Sequence, residues 1–276
     1  MGADGRIALI GAGRMGGALA TGWLRGKGGL SPDQLLICAP NATEQTAFLT
    51  REYGIKRVEA LGPRMARDVS LVVLAVKPQI FHQIAADLAE VLSPDCAVLS
   101  VMAGVTIRTM TDALGERPII RAMPNTPASI GAGVIVAVAN AAGEAHRKRA
   151  RKLLKVGGSV EWVEDERLMD AVTAVSGSGP AYFFLLAEAL AGAGENEGLP
   201  RDLAEKLATE TLIGAGELIK ASGLNPQELR RQVTSPNGTT QAALDVMMGG
   251  SALPELMRRA VNAAERRSRQ LSDPNR

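Results

Sequence analysis

The apolar run Arg6–Ile10 stops at Gly11-Ala12-Gly13-Arg14-Met15-Gly16 and gives way to a helical pattern over residues 18–24. Strand, glycine-rich turn and helix in that order leave few folds open. In this G-x-G-x-x-G spacing the first glycine permits a tight turn and the second lets backbone approach a pyrophosphate. The third brings helix against strand. A glycine-rich turn alone is common, but this context points to a dinucleotide site opening a βαβ unit.

The same alternation continues along the chain. Apolar runs at 35–39, 71–76, 97–101, 118–123, 134–139 and 159–163 predict further strands, with helical patterns at 43–53, 80–92 and 106–114 between them. The 71–76 run is apolar throughout, as a strand covered on both faces of a parallel sheet must be. Residues 1–165 are therefore expected to form a Rossmann-like doubly wound α/β domain that binds a dinucleotide. After residue 163 no convincing strand remains. Helices are expected at 166–174, 179–194, 200–222, 226–232, 239–249 and 253–270, so that 166–276 forms an all-α domain rich in Ala and Gly. Residues 270–276 read as a frayed tail.

Composition removes several classes of function. A net charge of +2 generates no field to attract nucleic acid or an anionic membrane, and aromatics at 3% leave no stacking platform for single strands. Cys38 and Cys96 lie in apolar runs with no second Cys or His at ligand spacing, which predicts buried thiols rather than a disulfide or a metal pair. The two histidines, His82 and His146, are far apart, so neither a His-based metal site nor a Ser-His-Asp triad is expected. Residues 6–24 resemble the apolar part of a signal peptide only superficially, because glycines and Arg14 interrupt them. No run approaches the ~18 apolar residues of a membrane span. The expectation is a soluble, cytoplasmic protein without metal.

Several turns are expected along one edge of the sheet, where open α/β folds bind their ligands. They are Gly11–Gly16 after Ile10, Ala39-Pro40-Asn41, Ala75-Val76-Lys77-Pro78, Met102-Ala103-Gly104, and Arg121 to Pro127. Lys77 either reaches the cofactor or stands solvated beside a turn proline. The second strand ends Cys38-Ala39-Pro40-Asn41-Ala42-Thr43, with no acid before Glu44 to hold a ribose 2′-hydroxyl. Asn41 and Thr43 can hydrogen-bond a 2′-phosphate, but no arginine stands at that strand end. NADPH is therefore expected, with NADH as an alternative. Ser176-Gly177-Ser178-Gly179-Pro180 is either a flexible break with a helix cap or a close approach between helices. Last, Val233-Thr234-Ser235-Pro236-Asn237-Gly238-Thr239-Thr240 gathers hydroxyls and a glycine just before an apolar helical pattern. Free amides and hydroxyls at a helix start suit a small anion.

Taken together, these motifs resemble one family, the pyrroline-5-carboxylate reductases. The resemblance spans essentially the whole chain and rests on Gly11–Gly16, 75–78, 103–105, 123–127, 176–182, 198–201 and 233–240. One departure stands in the last segment, where Asn237 replaces the family's usual glycine. Asparagine tolerates left-handed backbone angles better than most residues. The resemblance implies NAD(P)H-dependent reduction of 1-pyrroline-5-carboxylate to L-proline, the last step of proline biosynthesis. It implies a helical dimerisation domain, homodimers that can assemble into decamers, and a substrate held between the nucleotide half and a partner's helical half. Ser235, Gly238, Thr239 and Thr240 would bind the substrate carboxylate, with the Thr240 hydroxyl near the ring nitrogen as the catalytic group. Ile10, Gly11, Ala12, Gly13, Arg14, Met15, Gly16, Ala39, Pro40, Asn41, Ala75, Val76, Lys77, Pro78, Met102, Ala103 and Gly104 would bind cofactor.

The chemistry fits what the chain lacks. An imine nitrogen is basic enough to take its proton before hydride arrives, so the site needs positioning more than a strong acid. Hydroxyacid dehydrogenases of similar architecture use a lysine early in the helical domain. Between Arg167 and Arg201 there is no Lys, Arg or His. Two other readings stay open: a reductase of another cyclic imine or a hydroxyacid, and a nucleotide-sensing protein without catalysis.

Overall fold

The computed structural model describes residues 5–26 and 29–272. Its strands are β1 (Arg6–Ile10), β2 (Leu35–Cys38), β3 (Lys56–Val58), β4 (Val69–Leu74), β5 (Ala97–Ser100), β6 (Ile119–Pro124), β7 (Gly133–Ala139) and β8 (Gly158–Trp162). They form one 8-stranded sheet in the order β3-β2-β1-β4-β5-β6-β7-β8. Strands β1 to β6 run parallel; β7 runs antiparallel to β6, and β8 parallel to β7. The reversal has a local cause. Only a 3₁₀ turn at Thr126–Ile130 separates β6 from β7, and a parallel crossover takes about a dozen residues or more.

The α-helices are α1 (Arg14–Leu24), α2 (Glu44–Tyr53), α3 (Pro63–Ala66), α4 (Phe81–Val91), α5 (Ile107–Leu114), α6 (Arg147–Leu154), α7 (Met169–Val172), α8 (Gly179–Asn196), α9 (Arg201–Ser222), α10 (Pro226–Gln232), α11 (Thr239–Met248) and α12 (Ala252–Ser272). The start of α2 carries a readable signal. Thr43 caps it by accepting from the Thr46 amide at 3.2 Å, and the Thr46 hydroxyl takes the Thr43 amide in return at 2.7 Å. Asn225 and Glu228 make the same reciprocal pair at the start of α10.

The sheet's two faces carry separate cores. One joins Ile7, Leu9, Ile37, Leu71 and Leu99 to Leu19 and Trp23 of α1. The other joins Ala8, Val72, Leu74 and Val98 to Phe81, Leu88 and Met110 of α4 and α5. Trp23 is fully buried and donates its indole N–H to the Leu153 carbonyl at 2.8 Å, tying α1 to α6. Both cysteines are free and buried. Burial pushes the Cys38 thiol up to about 12 and that of Cys96 up to about 11.

The described residues fall into two compact units. Those within Met1–Gly177 and Glu265–Arg276 form the first, and Ser178–Ala264 the second. The last turns of α12 thus belong with the sheet: the Ser268 hydroxyl donates to Asp170 at 2.7 Å. The helix runs to Ser272, so the tail expected at 270–276 begins helical and then passes outside the described residues at 273–276. Residues 166–174 are not one helix. A 3₁₀ turn (Glu166–Leu168) leads into the four-residue α7 and then a π-helical turn, Thr173–Gly177. Among the described residues no helix is long and apolar enough to cross a membrane.

Candidate cofactor and substrate sites

The carboxyl ends of β1, β2, β4 and β5 converge through backbone hydrogen bonds that continue the ladder into the turns. Gly11 donates to Cys38 and Ala75 to Ile10, both at 2.9 Å, and Val101 donates to Leu74 at 3.0 Å. Gly11 has φ +89°, and a side chain there would meet the Ala75 carbonyl and Val76 at 2.8 Å. At Gly16 an added Cβ would run into the Gly11 carbonyl oxygen. Around Gly13, by contrast, there is open space. Two glycines are packed shut and the middle one is open, which is the arrangement a pyrophosphate approaching along the backbone requires. Gly13 also begins α1 with no side chain capping it and no acid in the first turn, so the free amides meet no competing negative charge.

The other residues expected at the cofactor sit around this edge in different ways. Ile10 and Ala12 are buried, so only their backbone can face a ligand, and Met15 is partly buried against the core. Arg14 is exposed and borders an open groove of about 540 Å³ beside Thr21, Gln45, Phe48 and Ser129. Lys77 is exposed at the turn into Pro78. The Met102 side chain points into the core, so only its backbone can face the crevice; Ala103 is exposed beside it. Gly104, at φ +74°, backs onto Leu271 of α12.

Two assignments change. The Thr43 hydroxyl is occupied as the α2 cap, leaving Asn41 as the exposed polar side chain of that loop. An arginine does stand at the end of β2, but β3 supplies it: Arg57 Nη1 donates to the Ala39 carbonyl at 2.8 Å and to Pro40 at 3.5 Å. It is out of reach of a reading along the chain because β3 is only three residues long and opens with two charged ones.

Arg121, expected among the crevice turns, lies within β6 and is buried. It pairs with Glu166 at 2.8 Å, and the same carboxylate oxygen accepts the Ile107 amide at 2.8 Å. The Asn125 side chain accepts from the Val134 amide at 3.1 Å and so holds the β6–β7 turn. At Gly177 a side chain would meet the Met123 Cε at 2.7 Å. The π-helical turn therefore rests on the end of β6.

In the second unit, the segment between α10 and α11 gathers hydroxyls into one tight turn. The Thr234 hydroxyl donates back to the Arg230 carbonyl at 2.6 Å, ending α10. Gly238 then donates to Ser235 at 3.0 Å, closing a turn that puts Asn237 at φ +58°. Asparagine is one of the few side chains that occupies this left-handed region readily. At Gly238 a side chain would collide with the Ser235 hydroxyl in its present position and crowd the Ser235 carbonyl at 3.1 Å, so a larger residue would push that hydroxyl aside. Gly238 is the N-cap of α11 and supplies no side-chain cap. The first amides of α11 therefore stay unpartnered within the helix. Among the described residues the hydroxyls of Ser235, Thr239 and Thr240 make no hydrogen bond. Three free hydroxyls and a free helix start in one turn are groups that suit a small anion.

Comparisons with known proteins agree with both halves. Residues 166–271 match the family model described as pyrroline-5-carboxylate reductase dimerisation, and residues 6–104 that of a coenzyme F420-dependent NADP oxidoreductase. The chain is 43% identical to pyrroline-5-carboxylate reductase of Pseudomonas aeruginosa over 97% of both chains, and 37% identical to that of Pisum sativum over 96% of both. It superposes on the pyrroline-5-carboxylate reductase of Coxiella burnetii with a TM-score of 0.90, at 33% identity, covering 98% of this chain and 99% of that one. For the Plasmodium falciparum enzyme, solved with NADP bound, the TM-score is 0.80 at 28% identity, again over 98% and 99%. The chain belongs to the pyrroline-5-carboxylate reductase family.

Proposed function

We propose that this protein reduces 1-pyrroline-5-carboxylate to L-proline with NADPH. The single observation that carries the reading is the turn from Ser235 to Thr240: an anion receptor with hydroxyls and free amides but no ionisable side chain among its residues. A substrate that arrives already protonated at nitrogen needs its carboxylate held and its iminium oriented, and this turn offers those two services. In this reading Ser235, Gly238 and Thr239 bind the carboxylate and the Thr240 hydroxyl contacts the ring nitrogen. When bound, the reduced nicotinamide supplies the hydride. The residues of 10–16, 39–41, 75–78 and 102–104 hold the dinucleotide, with the pyrophosphate over Gly13 and the α1 amides.

In this reading the protein works as a homodimer joined through its helical unit, and dimers can assemble further, up to a decamer. The exposed apolar side chains of α8 and α9 support the dimer. The two buried, unpaired thiols suit the reducing conditions of a cytoplasm.

A substrate panel tests the reading against a keto-acid or larger-ring enzyme. Cofactor oxidation is followed with 1-pyrroline-5-carboxylate, its six-membered cyclic imine homologue and a set of 2-oxo acids. The expected outcome is a kcat/KM for the five-membered imine at least ~100-fold above any 2-oxo acid, because an alkoxide product would demand a proton donor that the turn lacks. A preferred 2-oxo acid would overturn the proposal. So would dinucleotide binding without turnover of any compound.

A further inference from the structure

We propose that Arg57 is the residue that recognises the 2′-phosphate of NADPH and makes this protein select NADPH over NADH. The inference rests on the cofactor reading above and adds to it a residue from outside the turns of the sheet edge. Strand β3 is the edge strand beside β2, with Arg57 level with Ile37 and Val58 level with Cys38. From there the Arg57 side chain reaches forward past the strand end, and its Nη1 donates to the Ala39 carbonyl at 2.8 Å and to the Pro40 carbonyl at 3.5 Å. The carboxyl end of β2 is where this fold places the adenosine ribose.

Three features make the guanidinium a phosphate receptor rather than a structural clamp. First, its partners are carbonyls, which orient the group without neutralising it, and no carboxylate among the described residues forms an ion pair with it. Second, only Nη1 is engaged, so Nε and Nη2 remain as donors for the bidentate contact that phosphate favours. Third, the loop it overhangs, Ala39 to Thr43, contains no acid to hold a 2′-hydroxyl or repel a phosphate. It offers the exposed Asn41 amide as a second donor. Arg57 is partly buried, which weakens solvent screening of its charge relative to a freely exposed arginine.

The test measures dissociation constants by calorimetry for NADPH, NADH, 2′,5′-ADP and 5′-ADP, on wild type, Arg57→Ala, Arg57→Gln and Arg57→Lys. Glutamine keeps a neutral donor for the Ala39 carbonyl, and lysine keeps the charge without the fork. Losing a charge-assisted contact to phosphate is expected to weaken NADPH and 2′,5′-ADP by about 10- to 50-fold in the alanine and glutamine variants. Binding of NADH and 5′-ADP should move by less than about threefold, and lysine should restore part of the loss. Equal weakening of NADPH and NADH would overturn the proposal, since a structural role for Arg57 cannot favour one nucleotide. Unchanged affinity for 2′,5′-ADP would do the same. Wild type that binds neither dinucleotide would refute the cofactor site itself, an outcome distinct from a wild type that binds both without help from Arg57.

Discussion

Glu166 makes two contacts from one oxygen, to the buried Arg121 guanidinium and to the Ile107 amide. Removing it would leave a nearly enclosed charge on β6 and an open donor at the start of α5. We expect Glu166→Ala to destabilise the protein by about 2–3 kcal/mol, measured by urea unfolding, somewhat below a fully buried pair because Glu166 is partly exposed. Glu166→Gln, which can still accept both bonds, should cost less. At this scale the sequence was unevenly readable. Gly11, Gly13, Gly16 and the turn around Asn237 were legible because backbone geometry restricts which residues fit there. The Arg57 and Arg121 placements were not, because each depends on a partner at least 17 residues away brought alongside by the sheet.

At the scale of elements, α8 and α9 pose the clearest question. Their shared contact buries little beyond Ala191, Ala204 and Ala208, while Phe183 and Phe184 of α8 stay 58% and 64% exposed and Leu185, Leu186 and Leu190 stand near them in sequence. An apolar patch of this extent on a lone chain marks an interface. The family model covering this region is one of dimerisation, so a second copy is the expected cover. Phe184→Glu should therefore yield a monomer in sedimentation velocity at concentrations where wild type is a dimer or larger, whereas a wild type already monomeric would remove the basis of the idea. Helices α8 and α9 were readable from their apolar spacing and the Gly and Pro that punctuate them, whereas α3 and α6 went unread. The break-up of 166–174 into 3₁₀, α and π turns was not readable either, since the segment ends where Gly177 packs against Met123 of β6, a neighbour distant in sequence. β3 escaped for a related reason. Three residues that open with two charged ones carry no strand signal of their own, and only pairing with β2 makes them one.

Over the whole molecule, the order of alternating strands and helices was sufficient to anticipate a doubly wound sheet followed by helices. The antiparallel β7 and the return of the α12 end to the sheet unit both come from connection length and side-chain pairing, which a linear pattern does not display. Burial in the sheet also gives the molecule one alkaline pH dependence. Burial raises the Cys38 thiol from its ordinary 9.0 to about 12, so the folded state keeps a proton that the unfolded chain releases. Stability from this group is whole below pH 9 and should decline as pH climbs from 9 towards 12; Cys38→Ala should flatten that decline, as read from urea midpoints. Function, however, hinges on the turn from Ser235 to Thr240 and the imine it would hold. The most direct measurement is NADPH oxidation by purified protein supplied with 1-pyrroline-5-carboxylate, wild type beside Thr240→Ala. Wild type should turn over, and Thr240→Ala should lose about 100-fold in kcat while its NADPH dissociation constant stays in place. An inert wild type, or a Thr240→Ala variant as fast as wild type, would contradict it.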